Sequence, residues 1–316
     1  MATEDDRRSH GSANESSMGD SSRLSSLDAV RSLGDSPFEA LLDKGRQLAP
    51  PSSAPQDVAP LTPLPVKRIR AGESPHSVAV SPDGRHLYVT NFQPGTVSIV
   101  DPDLEETVAT IEVVRNPYGV AARPDGIGLY VTSPSAQRLD LVILPGAGTP
   151  MDVDIHTGIG HAPYGIAISQ GGGTLYVAAA LEDAISIFDA LTKEVDEPIS
   201  SMDFPVGVAL SPDGRTLYAS SFFHAAVQVV DLAQKTVVRK LDVPRDPYGL
   251  AVSKDGGLLY VTHFPDGNVS VIDVVSNAVV ATIPVEDGPR GIAISPDGRH
   301  LYVTNMFADS ISVISL

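Results

Sequence analysis

The strongest constraint on the fold of this chain is a repeat of about 42 residues. Six tyrosines follow one another at spacings of 42, 46, 42, 42 and 42 residues, and a proline precedes each of them by 13 residues. The segment SPDGRHLYVTN occurs twice, at residues 81–91 and 295–305. A period of this length indicates a chain built from copies of one supersecondary unit. The tyrosines are Tyr88, Tyr130, Tyr176, Tyr218, Tyr260 and Tyr302, and the prolines are Pro75, Pro117, Pro163, Pro205, Pro247 and Pro289.

Each unit contains four short stretches of alternating apolar residues. In the fifth unit these stretches cover residues 248–253, 258–263, 269–273 and 278–285. Such alternation, rich in Val and Ile, predicts half-buried strands. Between the first two stretches, S-P-D-G or a variant predicts a tight turn, because Pro presets φ and Gly accepts a positive φ. Four-stranded antiparallel units repeated around an axis predict an all-β fold, a six-bladed β-propeller. In blade two the fourth strand is poorly patterned and is predicted at about 149–155.

The last unit lacks a fourth strand, and the missing strand is found near the other end of the repeats. The chain stops at ISVISL (311–316) after three strands. Upstream, Ile69 lies six residues before Pro75, as Ile111 and Ile283 lie six before their own prolines. An N-terminal strand around Ile69 is therefore predicted to complete blade six and close the ring, which hides two sheet edges. The predicted propeller covers residues 64–316.

The repeated residues also resemble a known family. LYVTN, SPDGR and the P-x-G-V-A openings of the first strands are similar to the YVTN family of β-propeller repeats, known from surface-layer proteins and many bacterial propellers. The resemblance covers residues 64–316 and implies a propeller. Because that family includes enzymes, binding modules and surface proteins, the resemblance implies no single activity.

Residues 1–63 follow a different pattern, rich in Ser, Asp and Pro and without alternating apolar residues. This acidic, Ser/Pro-rich tail is predicted to be largely disordered. Short helices are predicted at 26–33 and at 36–49, where Ser36, Pro37 and Glu39 form a capping box. A stiff Pro-rich linker follows at 49–65. The tail is a candidate docking element for a protein partner.

Composition excludes several classes of function. The chain has no cysteine, so disulfides, Fe–S clusters and covalently attached c-type haem are excluded. The net charge of −17 disfavours nucleic acid and anionic membranes as partners. No apolar run is long enough to span a bilayer. The N-terminus has no apolar signal region, which favours a cytoplasmic location.

The first residue of each first strand, after the repeat proline, is expected to reach one mouth of the central channel. The second strand runs antiparallel to the first, so its last residue and the following loop return to the same face. Around the ring the six openers are His76, Tyr118, Tyr164, Val206, Tyr248 and Arg290. The second strands end at Asn91, Ser133, Ala179, Ser221, His263 and Asn305, and the loops add Phe92, Phe222, Phe223, His224, Phe264, Met306 and Phe307.

We expect these residues to form a concave, aromatic funnel with a few polar groups, as is typical of sites for small molecules. His76 is the candidate general base, and His263 is a reserve acid or base. Arg290 is the candidate clamp for a carboxylate or an oxyanion, while Tyr118 and Tyr248 can donate hydrogen bonds or stack. The predicted ligand contacts are Tyr164, His263, Asn91, Asn305, Phe92, Phe222, Phe264, Phe307 and His224.

Several functions stay open at this point. The mouth can bind a small molecule or a peptide without chemistry, or it can perform metal-independent lyase, cyclase or lactone-opening chemistry. Alternatively, the side chains only fill a solvated channel mouth, and the chain is an interaction scaffold that uses its blades or residues 1–63. No two histidines share one element at a ligand spacing, so no metal is predicted. No phosphate-binding or dinucleotide motif occurs, so no cofactor is predicted.

Overall fold

The computed structural model describes residues 66–144 and 153–316, and it confirms the six-bladed propeller. The described residues form six antiparallel sheets of four strands, each of which is one blade. The helices predicted in residues 1–63 lie outside this range. Two single-turn 3-10 helices, η1 (Ala180–Glu182) and η2 (Phe222–His224), interrupt the strand pattern. No helix in the described part of the chain has the length and hydrophobicity of a membrane span.

In the first five blades the strands follow chain order from the axis to the outer edge of the ring. Blade one holds β2 (Pro75–Val80), β3 (Leu87–Asn91), β4 (Thr96–Asp101) and β5 (Glu106–Glu112). Blade two holds β6 (Val120–Ala122), β7 (Gly128–Ser133), β8 (Arg138–Ile143) and β9 (Val153–Thr157). Blade three holds β10 (Pro163–Ile168), β11 (Thr174–Ala179), β12 (Ala184–Asp189) and β13 (Val195–Ile199). Blade four holds β14 (Pro205–Leu210), β15 (Thr216–Ser221), β16 (Ala226–Asp231) and β17 (Thr236–Asp242). Blade five holds β18 (Pro247–Val252), β19 (Leu258–His263), β20 (Asn268–Asp273) and β21 (Ala278–Pro284).

Blade six is closed by the N-terminal strand, as the register of Ile69 predicts. It holds β22 (Pro289–Ile294), β23 (His300–Asn305), β24 (Ser310–Ser315) and, at the outer edge, β1 (Val66–Arg70). Ile69 pairs with Ile311 and is 1% exposed. The backbone N–H of Ser74 donates to the Asp309 carboxylate at 2.8 Å, which ties the two ends of the described chain together on one face.

Blade two differs from the other blades in the register of its fourth strand. Its fourth strand is described over Val153–Thr157, which overlaps the predicted range of about 149–155, and residues 145–152 lie outside the described range. In the other blades an Ile or Leu six residues before the repeat proline pairs with the buried third-strand residue. In blade two that partner is His156, seven residues before Pro163, opposite Leu139. The extra residues of this unit thus shift the register by one and place the His156 ring against Phe188, 4.9 Å between centroids.

Each S-P-D-G turn lies on the face of the ring opposite the openers. In blade one the Ser81 hydroxyl donates to the Asp83 carboxylate at 2.6 Å, and Gly84 has a φ of 76°. Because Pro75 pairs with Asn91, the start of a first strand and the end of its second strand share the other face. We call these two surfaces the turn face and the mouth face.

Close approach of the blades at the axis explains the small residues of the first strands. A Cβ on Gly207 would lie 2.0 Å from the Tyr248 carbonyl oxygen, and one on Gly249 would lie 2.3 Å from that of Arg290. Only glycine leaves the backbones room to meet at these distances.

A ring of hydroxyl groups links neighbouring blades at the axis. In each case a second-strand Thr or Ser donates to the carbonyl oxygen of the next blade's opener and accepts from a first-strand N–H of its own blade. Blade three has Ala178 at this position and lacks the hydroxyl. The links are Thr90 to Tyr118 (2.7 Å), Thr132 to Tyr164 (2.5 Å), Ser220 to Tyr248 (2.7 Å), Thr262 to Arg290 (2.6 Å) and Thr304 to His76 (3.1 Å).

Candidate functional site

The openers meet over the axis, but they are buried rather than spread around an open funnel. Each is at most 3% exposed. The Tyr118 ring lies 4.6 Å from Tyr164 on the next blade and 6.0 Å from Tyr248 on the opposite side of the ring, between centroids. Side chains therefore close the channel at this level and form a floor beneath the mouth face.

Arg290 lies within this floor and is fully buried. One guanidinium nitrogen, Nη1, donates to Tyr248 Oη at 2.8 Å and lies 2.7 Å from His76 Nε2. The guanidinium carbon is 4.6 Å from the Phe264 ring centroid and 5.0 Å from that of Tyr248. Such cation–π contacts are strongest where water is excluded. The cation is thus held against aromatic rings and two polar atoms of the neighbouring blades.

The contacts of His76 fix the tautomer of its ring. His76 Nδ1 lies 2.9 Å from the Ser74 carbonyl oxygen, which can only accept, so Nδ1 carries the proton. His76 Nε2 then accepts from Arg290. Burial, and next the charge of Arg290, hold the pKa of His76 well below its usual range. The imidazole is therefore neutral near pH 7, and its lone pair faces the guanidinium.

An unbroken series of ring contacts crosses the mouth face. It runs from Phe92 and His76 through the tyrosines to Phe307, with neighbouring centroids 4.5–6.5 Å apart. Six of the chain's eight phenylalanines take part. We call this set the aromatic cluster: His76, Phe92, Tyr118, Tyr164, Phe204, Phe222, Phe223, Tyr248, Phe264 and Phe307.

The cluster has a buried floor and an outer layer in contact with solvent. Phe222 and Phe264 are 3% exposed, whereas Phe307 is 64% exposed. Phe92, Phe204 and Phe223 are half-buried. The outer phenylalanines therefore present an apolar surface that rests on a rigid aromatic base.

Phe204 is a member of the cluster that the sequence analysis missed. It precedes Pro205 and has a φ of 47°, a left-handed conformation that is unfavourable for a bulky side chain. Its ring centroid lies 4.8 Å from Phe223 and 6.4 Å from Tyr164. The position before the repeat proline has a positive φ in every blade, and only here does it carry an aromatic residue. That contrast was a signal available in the sequence.

The two predicted asparagines make contacts inside their own blades. Asn91 Nδ2 donates to Thr96 Oγ1 at 3.0 Å and Ser98 Oγ at 2.8 Å, and Asn305 makes the corresponding bonds in blade six. Both side chains are buried on the mouth face, where they fix the turn between the second and third strands.

Blade five has His263 in place of the asparagine, and the ring is fully buried. His263 Nδ1 lies 3.1 Å from the Arg245 carbonyl oxygen, so Nδ1 is the protonated nitrogen. His263 Nε2 has no hydrogen-bond partner among the residues of 66–144 and 153–316. Burial lowers the pKa of His263 to about 4, which leaves the ring neutral at pH 7.

His224, the remaining predicted contact residue, is exposed at the end of η2. Across the parts of the chain that the structure describes, no three His, Asp or Glu side chains converge as metal ligands would.

Comparison with known proteins supports the fold and goes no further. No family model matches the chain, so membership of the YVTN family stays a prediction. No curated protein matches it. Among solved structures, a chain of Kuenenia stuttgartiensis hydrazine synthase is similar, with a TM-score of 0.62 and 21% sequence identity over 84% of this chain and 99% of that chain. At this identity the likeness shows a shared propeller fold alone.

Proposed function

We propose that the chain is a binding propeller whose mouth face receives an apolar group of a small molecule or a peptide. The observation that carries this proposal is the outer layer of the aromatic cluster. Phe307 is 64% exposed on top of Phe264, with 5.3 Å between ring centroids. Exposed aromatic residues over a packed base are typical of binding surfaces, since they offer a large contact area at little entropic cost.

The backbone of Phe204 supports the same proposal. A left-handed φ at a phenylalanine costs free energy, of the order of 1–3 kcal/mol for strained residues. Other blades have Ser, Asn, Ala, Asp or Gly at this position. Strain of this kind persists where a function needs the side chain. We infer that ligand contact is the reason for an aromatic residue here.

Binding without chemistry is favoured over acid–base catalysis. A general base needs a lone pair within reach of the substrate. The Nε2 lone pair of His76 faces Arg290, and the ring is 1% exposed. Catalysis by His76 would require a rearrangement that withdraws Arg290 and opens the floor. Lyase, cyclase or lactone-opening chemistry is therefore the second candidate.

The absence of tryptophan makes binding easy to measure. Short peptides that contain tryptophan can be followed by their own fluorescence anisotropy while unlabelled protein is added. We expect Phe307→Ala and Phe204→Asn each to weaken binding about tenfold, as truncation of a central aromatic contact does. Asn tolerates the left-handed backbone, so Phe204→Asn is expected to leave Tm unchanged or raise it.

The matched control is Leu191→Ala, which removes an 85% exposed apolar side chain from the turn face. It is expected to leave affinity unchanged. If all three variants bind alike, or if no ligand binds, the mouth face is not the binding surface.

A further inference from the structure

The loops that surround the aromatic cluster carry an excess of negative charge. These loops join second to third strands and fourth strands to the next blade, and we call them the rim. They contain nine carboxylates against two arginines, Arg115 and Arg245. The carboxylates are Glu73, Glu182, Asp183, Asp203, Asp246, Asp266, Glu286, Asp287 and Asp309.

Several of these carboxylates form ion pairs with basic side chains of the strands and loops. Asp203 pairs with Lys240 at 2.5 Å, Asp266 with Arg245 at 3.2 Å and Glu286 with Arg68 at 3.2 Å. Even when Lys240 and Arg68 are counted with the two rim arginines, nine carboxylates face four Lys or Arg side chains, which is an excess of five negative charges. The potential over the mouth face is therefore negative, and it attracts cations and repels anions.

Arg290 does not reverse this sign for an approaching ligand. Its guanidinium is fully buried, and the Phe264 ring lies 4.6 Å from it. The exposed Phe307 in turn contacts Phe264. A ligand on the outer layer therefore meets aromatic rings and rim carboxylates before it could reach the buried cation.

Exposed aromatic rings beside carboxylates match one kind of partner. We propose that the mouth face binds a basic segment of another protein, in which Lys or Arg side chains flank an aromatic or aliphatic residue. This inference rests on the proposed function and names its ligand. The apolar residue packs on Phe307, while the cations lie against the rim and the ring faces. Charge complementarity selects this partner over an acidic or neutral segment.

Three peptides of equal length test the proposal with the intact chain. Each contains one tryptophan, which is flanked by Lys and Arg in the basic peptide, by Ser and Gln in the neutral peptide and by Asp and Glu in the acidic peptide. We expect the basic peptide to bind most tightly and to lose affinity as salt is raised, because screening weakens its attraction to the rim. The acidic peptide is expected not to bind.

Two exposed rim carboxylates serve as probes. Asp287 lies beside Phe307, whose N–H donates to the Asp287 carbonyl oxygen at 3.3 Å, and Glu73 lies across the blade six–blade one boundary. Asp287→Asn and Glu73→Gln should each weaken the basic peptide about two- to fivefold and leave the neutral peptide unaffected. Glu194→Gln removes an exposed carboxylate on the turn face and should change neither affinity.

The outcomes separate the two proposals. Equal affinity for basic and neutral peptides, independent of salt but weakened by Phe307→Ala, overturns the basic partner and keeps the mouth as the binding surface. Tighter binding of the acidic peptide also overturns it and points to Arg290 as an anion site. Failure of every peptide to bind, or binding that ignores Phe307→Ala, overturns both proposals.

Discussion

Thr262→Val tests whether second-strand hydroxyls hold the ring together beneath the mouth. Thr262 is fully buried in blade five. Its Oγ1 donates to the Arg290 carbonyl oxygen at 2.6 Å and accepts from the Gly249 N–H at 2.8 Å. Valine keeps the shape of the side chain and removes the hydroxyl, so two buried backbone groups lose their partner.

The expected cost follows from those two groups. A buried donor or acceptor left without a partner costs about 1–3 kcal/mol, so the pair costs about 2–6 kcal/mol. For a domain of this size, 1 kcal/mol lowers Tm by about 2–4 °C, so Thr262→Val should lower Tm by about 4–24 °C. Differential scanning calorimetry at one fixed scan rate measures the change.

Thr110→Val is the matched control because Thr110 is exposed on β5. It is expected to leave Tm within about 1–2 °C of the original chain, as surface substitutions do. The converse change, Ala178→Thr, supplies the hydroxyl that blade three lacks and should raise Tm. A Thr262→Val variant as stable as Thr110→Val would refute the view that these hydroxyls link the blades.

Two further predictions concern pH and ring closure. Below pH 6.5 the unfolded chain protonates its histidines, whereas His263 with its pKa of about 4 stays neutral when folded, so stability should fall by up to about 3 kcal/mol between pH 6.5 and 4. His263→Asn, which installs the residue of blades one and six, should reduce the slope of the unfolding midpoint against pH. The pKa of His76 is also lowered in the folded chain, so part of the slope should persist. A slope that His263→Asn leaves unaltered would exclude His263 as its source. Ile69→Ala in the closing strand should lower the free energy of unfolding in urea by about 2–5 kcal/mol. Val66→Ala, on the same strand but at a side chain that is 43% exposed, should lower it little. Equal effects of the two substitutions would mean that Ile69 does not close the ring.

Most of the fold could be predicted because the same pattern of strands and turns recurs in six units of the sequence. Ile69 was assignable since its distance to Pro75 equals the distance in four other units, and a ring with an open edge is unfavourable. The same logic placed the openers on one face, because antiparallel strands return to where they start. The register of the fourth strand in blade two could not be predicted, because the extra residues of this unit change the spacing that the other units share. His156 therefore occupies the position that Ile or Leu has in the other blades.

The depth of the site could not be predicted from strand directions alone. Alternation shows that Arg290 and Tyr118 lie at the axis, but it does not show how far the side chains extend across it. The ring contacts between Tyr118 and Tyr248 depend on the radius of six packed blades, which the close approaches at Gly207 and Gly249 set. The role of the hydroxyls in LYVTN-type segments was hidden for the same reason, since their acceptors belong to the next blade.

On the mouth face, departures from the repeat collect at the boundary of blades three and four. Ala178 lacks the hydroxyl that the other blades have, and Val206 replaces a polar or aromatic opener. Phe204 adopts a left-handed backbone beside them. In a repetitive sequence, residues that differ from the repeat pattern tend to lie at functional sites. The ligand is therefore expected to depend more on Phe204 and its neighbour Phe223 than on Phe92, although all three rings are half-buried at the same face. Equal losses of affinity on truncating Phe92 and Phe223 would instead indicate a ligand centred on the axis.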